Sequence, residues 1–142
     1  MKRVSSRAVI IDNNKLLCFF RRKIDESGNK IEYYAIPGGG IEDGETPKET
    51  VIRELKEELN IDISLIGYLG VIEKEKTIEH YYAAKIINGT PKLGGEELEH
   101  LSEFNYYEPV YMDIEQLKNE NFQGMDLVKK TIAKDFIEDI KY

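Results

Sequence analysis

The sequence has little cysteine, little histidine and no long apolar run. Its single cysteine, Cys18, cannot form an internal disulfide, and its apolar neighbours favour a buried strand position. No apolar stretch approaches the length that spans a membrane, and residues 1–6 lack the apolar core of a signal peptide. The two histidines, His80 and His100, are too far apart for a local metal motif. These absences favour a cytoplasmic protein that has no membrane partner.

The chain is also short of positive charge. Its 27 acidic and 20 basic residues leave a net charge of −7, whereas a surface for a nucleic acid polymer needs a basic patch. The length of 142 residues suits one domain, residues 1–142, with a real core. An acidic protein that handled phosphates would need metal ions to screen its ligand.

Sequence patterns predict one domain of mixed α and β structure. Runs rich in β-branched and aromatic residues predict strands at 4–11, 15–23, 32–36, 61–74, 77–87 and 107–112. Helices are predicted at 47–59, 113–118 and 126–140, the last from its helical apolar period. Pro109 favours an edge position for the last strand, because proline cannot donate to a ladder.

The helix predicted at 47–59 carries Glu54, Glu57 and Glu58, spaced three and four residues apart. At about 100° per residue these carboxylates lie on one narrow stripe. Stacked like charges weaken a helix unless a cation neutralises them. A solvated acidic face is one interpretation. A site for a hard divalent cation with oxygen ligands, such as Mg²⁺, is the other.

The start of this helix follows a glycine triplet, Gly38 to Gly40, which itself follows a predicted strand. Thr46 and Glu49 form a capping-box pattern, and Asn60 suits the left-handed conformation that ends a helix. Phosphates are often held at such strand–loop–helix junctions. The P-loop form is excluded, because no Gly-Lys-Ser/Thr follows the glycines.

Together these residues resemble the Nudix box, a motif of the Nudix hydrolase family. Eight of its nine specified positions match with every spacing intact: Gly39, Glu45, Arg53, Glu54, Leu55, Glu57, Glu58 and Ile61. The remaining position has Asn60 in place of glycine, and asparagine tolerates the same backbone conformation.

The resemblance implies an α/β Nudix fold, in which a mixed sheet lies between helices. It implies hydrolysis of a diphosphate linkage in a nucleoside diphosphate joined to another group, with Mg²⁺ or Mn²⁺ as cofactor. The implied metal ligands are Glu54, Glu57, Glu58 and the carbonyl of Gly38. Family members differ over which glutamate is the base, so Glu54 and Glu57 both remain catalytic candidates. Arg53 is expected to tie the glycine segment to the helix and to orient the glutamates.

Many family members use one more carboxylate from a loop outside the box. Glu96 is the favoured candidate because it follows a glycine pair, and Glu97 is the second choice. Glu99 and Glu103 are further alternatives. For substrate binding the resemblance implies Arg22, which closes the second predicted strand, together with Gly39 and Gly40.

The substrate within the family range is left open by the sequence. A compact chain favours nucleoside triphosphates as the small-molecule partner. Nucleotide sugars, ADP-ribose and dinucleoside polyphosphates are alternatives, as is a non-catalytic nucleotide sensor. An interaction protein with a merely solvated acidic helix is a further alternative. A homodimer is also open, since some family members pair through their sheets.

Overall fold

The computed structural model describes residues 1–94 and 101–140. The strands are β1 (Arg3–Asp12), β2 (Lys15–Ile24), β3 (Lys30–Ala35), β4 (Gly38–Gly40), β5 (Asp62–Glu73), β6 (Thr77–Asn88) and β7 (Asn105–Asp113). The helices are α1 (Pro47–Leu59), α2 (Ile114–Leu117) and α3 (Met125–Ile132).

Strand β1 is the centre of the sheet structure. It pairs in parallel with β6 and antiparallel with β4, and its last residues form a hairpin with β2. Strand β5 continues the sheet beyond β6, while β2 pairs with both β3 and β7. The sheet is therefore mixed, and its two wings diverge where β1 passes from β4 to β2. The opening between the wings is where the cavities described below are found.

Two apolar layers cover the two faces of this sheet. Ala8 and Ile10 of β1 pack in the same cluster as Leu55 of α1. Val9, which points to the other face, packs in a second cluster with Val128 of α3. Alternate residues of one strand therefore serve opposite layers, as the period of two requires. The expected sheet between helices is confirmed.

Helix α1 begins and ends where its capping residues predict. The Thr46 hydroxyl accepts a hydrogen bond from the Glu49 backbone N–H, and the Glu49 carboxylate accepts one from the Thr46 N–H. Asn60 ends the helix in the left-handed conformation, with φ 58° and ψ 36°. These caps fix the rotation of the helix and hence the direction in which its glutamates point.

The glycine triplet forms a strand rather than the expected loop. Gly38, Gly39 and Gly40 pair antiparallel with Arg7, Ser6 and Ser5 of β1. A side chain on Gly38 would collide with the backbone of Ser6 and Arg7. The absence of side chains thus lets β4 lie close against β1. The backbone pairing with β1 makes this segment a strand instead of a loop.

The C-terminal helix is shorter than the expected span of 126–140, and that prediction is wrong beyond Ile132. Lys134 takes a left-handed conformation, with φ 56°, which ends α3. Ile137 then pairs with Tyr68 of β5 through two backbone hydrogen bonds. Phe136 packs onto Gly67, where no side chain intervenes. Tertiary pairing therefore outweighs the helical apolar pattern of this segment.

Cys18 and Pro109 both lie in strands of the sheet. Cys18 is buried, and burial raises the pKa of its thiol to about 12. Pro109 lies in β7 opposite Phe19, and within residues 1–94 and 101–140 the only ladder of β7 is with β2. None of the helices in the described ranges is long and apolar enough to cross a membrane.

Candidate active site

A cavity of about 720 Å³ lies between the exposed face of α1 and strand β4. Its wall includes the three glutamates of the stripe, the three glycines of β4 and four arginines. These residues are Glu54, Glu57, Glu58, Gly38, Gly39, Gly40, Arg3, Arg7, Arg21 and Arg53. Every described candidate except Arg22 and Glu103 is therefore brought to one cavity. The wall combines acidic groups suited to cations with basic groups suited to phosphates.

Arg53 connects the helix to the segment before it. Its Nε and Nη2 donate to the two carboxylate oxygens of Glu45, at 2.5 and 2.9 Å. Its Nη1 donates to Glu54 at 3.0 Å and to Glu57 at 3.1 Å, and Nη2 also reaches the Gly40 carbonyl. One guanidinium thus holds the entry loop, strand β4 and two glutamates in fixed relation.

Glu45 is the strongest partner of Arg53. The hydrogen bond from Arg53 lowers the pKa of Glu45 to about 2, and the Thr50 hydroxyl donates a further bond to the carboxylate. The pKa of Arg53 is raised in turn, chiefly by the same hydrogen bond. Both groups therefore stay charged over the range in which the protein is expected to work.

Glu54 is largely buried, with 17% of its side chain exposed. A Cβ atom on Gly39 would stand 2.5 Å from Oε2 of Glu54, so the glycine provides the space for this carboxylate. Burial raises the pKa of Glu54, and the contacts with Arg53 oppose that rise. The neighbouring Glu57 is more exposed, at 58% of its side chain, and can rotate into the cavity.

The carboxylates of the site suit a hard divalent cation, although their oxygens do not converge on a common position. In the part of the chain that the structure describes, no three acidic, histidine or cysteine side chains converge closely enough to hold a metal ion. Instead, Arg53 Nη1 bridges Glu54 and Glu57. Carboxylate oxygens are the ligands that Mg²⁺ prefers, and a bound cation would take the place of Arg53 Nη1 as the common partner of Glu54 and Glu57. The residues present therefore fit such an ion in chemistry and in placement along one helix.

A second cavity of about 520 Å³ adjoins the first. The two share four lining residues: Arg7, Arg21, Ala35 and Ile36. The second cavity is lined by aromatic and apolar side chains, including Tyr33, Tyr34, Phe122 and Leu127, and by the amides Asn121 and Gln123. Its charged lining residues are Arg7, Arg21, Lys74 and Glu79. Flat apolar walls with a few amide groups suit a heterocyclic ring. Together the cavities form one continuous site with a charged end and an aromatic end.

Arg7 lies where the two cavities meet. Its Nη1 donates to the Ile36 carbonyl at 2.8 Å, and its Nε lies 3.6 Å from the carboxylate of Glu79. Glu79 is buried, and it also accepts from the Tyr81 hydroxyl at 2.6 Å and contacts Lys74 at 3.2 Å. Burial opposes ionisation of Glu79, but these partners together lower its pKa. The Glu79 carboxylate thus holds Arg7 in place.

The arginine of β2 that lines the cavities is not the one that the resemblance implied. Arg22 lines neither cavity, and its guanidinium lies 5.0 Å from the ring of Tyr106. Arg21 lines both cavities and stacks 4.1 Å from the ring of Tyr107. Successive strand residues point to opposite faces, so the two arginines cannot both reach the site. Sequence reasoning also missed Arg3 and Arg7, which lie on β1 without a recognisable motif.

The segment before residue 95 fastens the rim of the site to α1. The backbone N–H of Lys92 donates to the Leu59 carbonyl, and that of Gly94 donates to the Glu58 carbonyl at 2.9 Å. Gly94 itself lines the first cavity. The expected loop carboxylates Glu96, Glu97 and Glu99 lie outside the described residues. Glu103 is exposed and lines neither cavity.

Comparison with known proteins agrees with this architecture. A family model described as NUDIX domain matches residues 1–133. The chain is 41% identical over 82 residues to 8-oxo-dGTP diphosphatase from Escherichia coli (strain K12), covering 56% of this chain and 61% of that protein. It is 31% identical over 93 residues to ADP-ribose pyrophosphatase from Methanocaldococcus jannaschii, covering 66% and 53%. The chain thus spans between half and two thirds of the length of these relatives.

The fold also matches solved structures over its full length. A structure of a NUDIX hydrolase from Nitrosomonas europaea superposes with a TM-score of 0.74 at 15% identity, covering 100% of this chain and 97% of that one. Such low identity supports the fold alone. The family model extends far beyond the box, through all seven strands and three helices. This protein belongs to the Nudix family.

Proposed function

We propose that this protein is a metal-dependent hydrolase that cleaves a diphosphate linkage in a nucleotide, with nucleoside triphosphates as the favoured substrates. The observation that carries the proposal is the continuous site beside α1. Its charged end contains Glu54, Glu57 and Glu58, and its other end is an aromatic cavity. A nucleotide has the same two parts, a polyphosphate and a heterocyclic base, joined through a sugar.

The proposed reaction is attack of water on phosphorus. A new P–O bond forms, the anhydride P–O bond breaks, and the leaving phosphate or pyrophosphate departs as an anion. The attacking water loses a proton to a carboxylate, for which Glu54 and Glu57 are the candidates because both face the cavity. Arg53 positions these two carboxylates through Nη1 and holds β4 beside them.

A divalent cation, Mg²⁺ or Mn²⁺ in its place, would be held by Glu54, Glu57 and Glu58 with the carbonyl of Gly38. When bound it would neutralise phosphate charge and lower the pKa of water. The backbone of Gly39 and Gly40 forms the opposite wall of the cavity and would lie along the substrate. Glu96 remains a predicted further carboxylate, since it follows the lining residue Gly94 by two positions.

The relatives support two substrate subclasses. The 8-oxo-dGTP diphosphatase supports nucleoside triphosphates, including oxidised ones, through the higher identity of 41%. The ADP-ribose pyrophosphatase supports a second candidate, nucleoside diphosphates joined to a sugar, at 31% identity. A cavity of about 520 Å³ beside the charged end accommodates one base and its ribose. Both subclasses contain such a nucleoside.

A hydrolysis panel tests the proposal. The purified protein is incubated with Mg²⁺ or Mn²⁺ and with nucleoside triphosphates, 8-oxo-dGTP, ADP-ribose and nucleotide sugars, and the nucleotide products are separated by ion-exchange chromatography and measured. We expect turnover of at least one substrate class, lost on removal of the metal. Glu57→Gln and Glu58→Gln should each lower kcat by at least about a hundredfold, since several kcal/mol of charge stabilisation is lost.

The matched control is Glu49→Gln on the same helix. Glu49 caps the N-terminus, and a capping box accepts glutamine at this position, so turnover should stay near that of the unmodified protein. Near-normal turnover in both Glu57→Gln and Glu58→Gln would refute the proposal. Tight nucleotide binding without turnover under any metal would favour a sensor instead.

A further inference from the structure

The junction between the two cavities carries two guanidinium groups. Arg7 from β1 and Arg21 from β2 each line both cavities, with Ala35 and Ile36 between them. A substrate that fills both cavities must pass this junction. The part of a nucleotide that lies between its base and its terminal phosphates is the sugar and the phosphate attached to it.

Arg21 is held by aromatic stacking rather than by a carboxylate. Its guanidinium lies 4.1 Å from the ring centroid of Tyr107 and 6.0 Å from that of Tyr33, its two cross-strand neighbours. Among the residues that the structure describes, no carboxylate lies within ion-pair distance of Arg21, and its buried Nε has no hydrogen-bond acceptor. Stacking thus holds the Arg21 guanidinium at the cavities and leaves its positive charge without a carboxylate partner among the described residues.

Arg7 is held differently, and its fork is only partly used. The Arg7 Nη1 donates to the Ile36 carbonyl, and Nε lies 3.6 Å from Glu79, which leaves Nη2 without a hydrogen bond to the described residues. The Glu79 carboxylate is shared with Lys74, Thr77 and Tyr81, so it only partly neutralises Arg7. Two guanidinium groups that line the same junction and keep unused donors form an anion site within a protein of net charge −7.

From this geometry we infer that Arg7 and Arg21 together bind the phosphate attached to the nucleoside, with Glu79 and Tyr107 as positioning residues. The inference rests on the proposed function and names a phosphate subsite within that site. Under this inference each part of the site binds a different part of the nucleotide. The glutamates act on the distal phosphates, the aromatic cavity takes the base, and the two arginines hold the phosphate that remains with the nucleoside product.

Binding of products tests the subsite without turnover. Calorimetry without metal compares AMP, GMP, CMP and UMP with the four matching nucleosides. We expect at least one monophosphate to bind about tenfold or more tightly than its nucleoside, the gain of one charge-assisted hydrogen bond. Arg7→Gln and Arg21→Gln should each remove most of this preference, because they weaken monophosphate binding much more than nucleoside binding. The control is Lys23→Gln on β2, because Lys23 is exposed and lines neither cavity.

Further variants separate binding from folding. Arg7→Lys and Arg21→Lys retain the charge but lose the fork, so they should keep the melting temperature and lose part of the preference. Tyr107→Phe retains the ring that stacks on Arg21, whereas Tyr107→Leu removes it. We expect the phenylalanine variant to bind monophosphate normally and the leucine variant to bind it more weakly. Equal binding by both variants would overturn the positioning role of Tyr107.

The outcomes also separate this inference from the proposed function. A monophosphate preference that survives in both Arg7→Gln and Arg21→Gln, or that the unmodified protein lacks, overturns the subsite even if hydrolysis is observed. An arginine-dependent preference in a protein that hydrolyses nothing supports the subsite and contradicts the hydrolase. In Glu57→Gln the preference should persist, because Glu57 lies at the other end of the site.

Discussion

Arg53 of α1 donates from Nε and Nη2 to both carboxylate oxygens of Glu45, in a two-bond fork across the start of the helix. The third nitrogen of the same guanidinium contacts Glu54 and Glu57. The fork therefore fixes the plane of the guanidinium, and its remaining donors bind the two glutamates and the Gly40 carbonyl beside the cavity. Loop, helix and proposed catalytic carboxylates share one rigid connector.

Arg53→Lys tests the value of this connector. Lysine keeps the charge but cannot form the fork, so we expect the free energy of unfolding to fall by about 1.5–3 kcal/mol. We also expect kcat to fall by about tenfold or more, because Glu54 and Glu57 lose their common partner. Urea unfolding and steady-state kinetics measure both.

The control for Arg53→Lys is an exposed ion pair on the same helix. Lys56 contacts Asp62 at 3.4 Å with 56% of its side chain exposed, so Lys56→Gln should change stability by less than about 0.5 kcal/mol. If the free energy of unfolding falls equally in both variants, the two-bond contact between Arg53 and Glu45 contributes no more to stability than an exposed ion pair.

The same fork predicts a pH dependence of stability. The hydrogen bond from Arg53 lowers the pKa of Glu45 from 4.5 to about 2 in the folded state. The unfolded chain therefore binds a proton first as the pH falls, and the stabilisation, fully present above about pH 4.5, is lost between that pH and about 2. Glu45→Gln should flatten this part of the stability curve. Urea midpoints across the range measure it, and parallel curves for the two proteins would contradict the assignment.

Gly39→Ala is expected to disturb Glu54 directly. A Cβ atom at residue 39 would stand 2.5 Å from Oε2 of Glu54, so overpacking should cost about 1–3 kcal/mol. In a Glu54→Ala background the obstacle is gone, and the same alanine should cost less. A double-mutant cycle by urea unfolding measures the coupling. Additive losses would place the effect in the β4 backbone instead.

The two neighbouring arginines of β2 should differ in their effect on substrate affinity. Arg21 lines both cavities and Arg22 lines neither, so Arg21→Gln should raise KM about tenfold and Arg22→Gln by clearly less. Steady-state kinetics with the preferred substrate decide between them. The reverse order would restore the assignment that the family resemblance implied.

The C-terminal segment should contribute to stability through Phe136 rather than through a helix. Phe136 is partly buried against Gly67, so Phe136→Ala should lower the free energy of unfolding by about 1–3 kcal/mol, less than for a fully buried ring. Ile132→Ala, at an exposed position, is the control and should change it by less than about 0.5 kcal/mol. Urea unfolding distinguishes the two.

The sequence predicts α1 and its glutamate stripe well because the signals are local. Thr46, Glu49 and Asn60 define the helix ends through contacts with their own neighbours. Once those ends are fixed, the period of 3.6 residues decides which face Glu54 and Glu57 occupy. The main strands follow from composition for a similar reason.

The aromatic end and the junction could not be predicted, because they depend on contacts between distant elements. Arg7 and Ile36 are 29 positions apart in the sequence, and the contact between them forms only when the whole sheet is assembled. The choice of Arg21 over Arg22 is a question of strand register, which a shift of one residue would reverse. The pairing of Ile137 with Tyr68 is equally non-local, and it ended a helix that periodicity had extended.

Lys92 and Gly94 complete the last turn of α1 from outside the helix by donating to the carbonyls of Leu59 and Glu58. The segment that follows β6 therefore holds the C-terminal end of α1 in place. Any movement of this segment is passed directly to the helix that carries the proposed metal ligands.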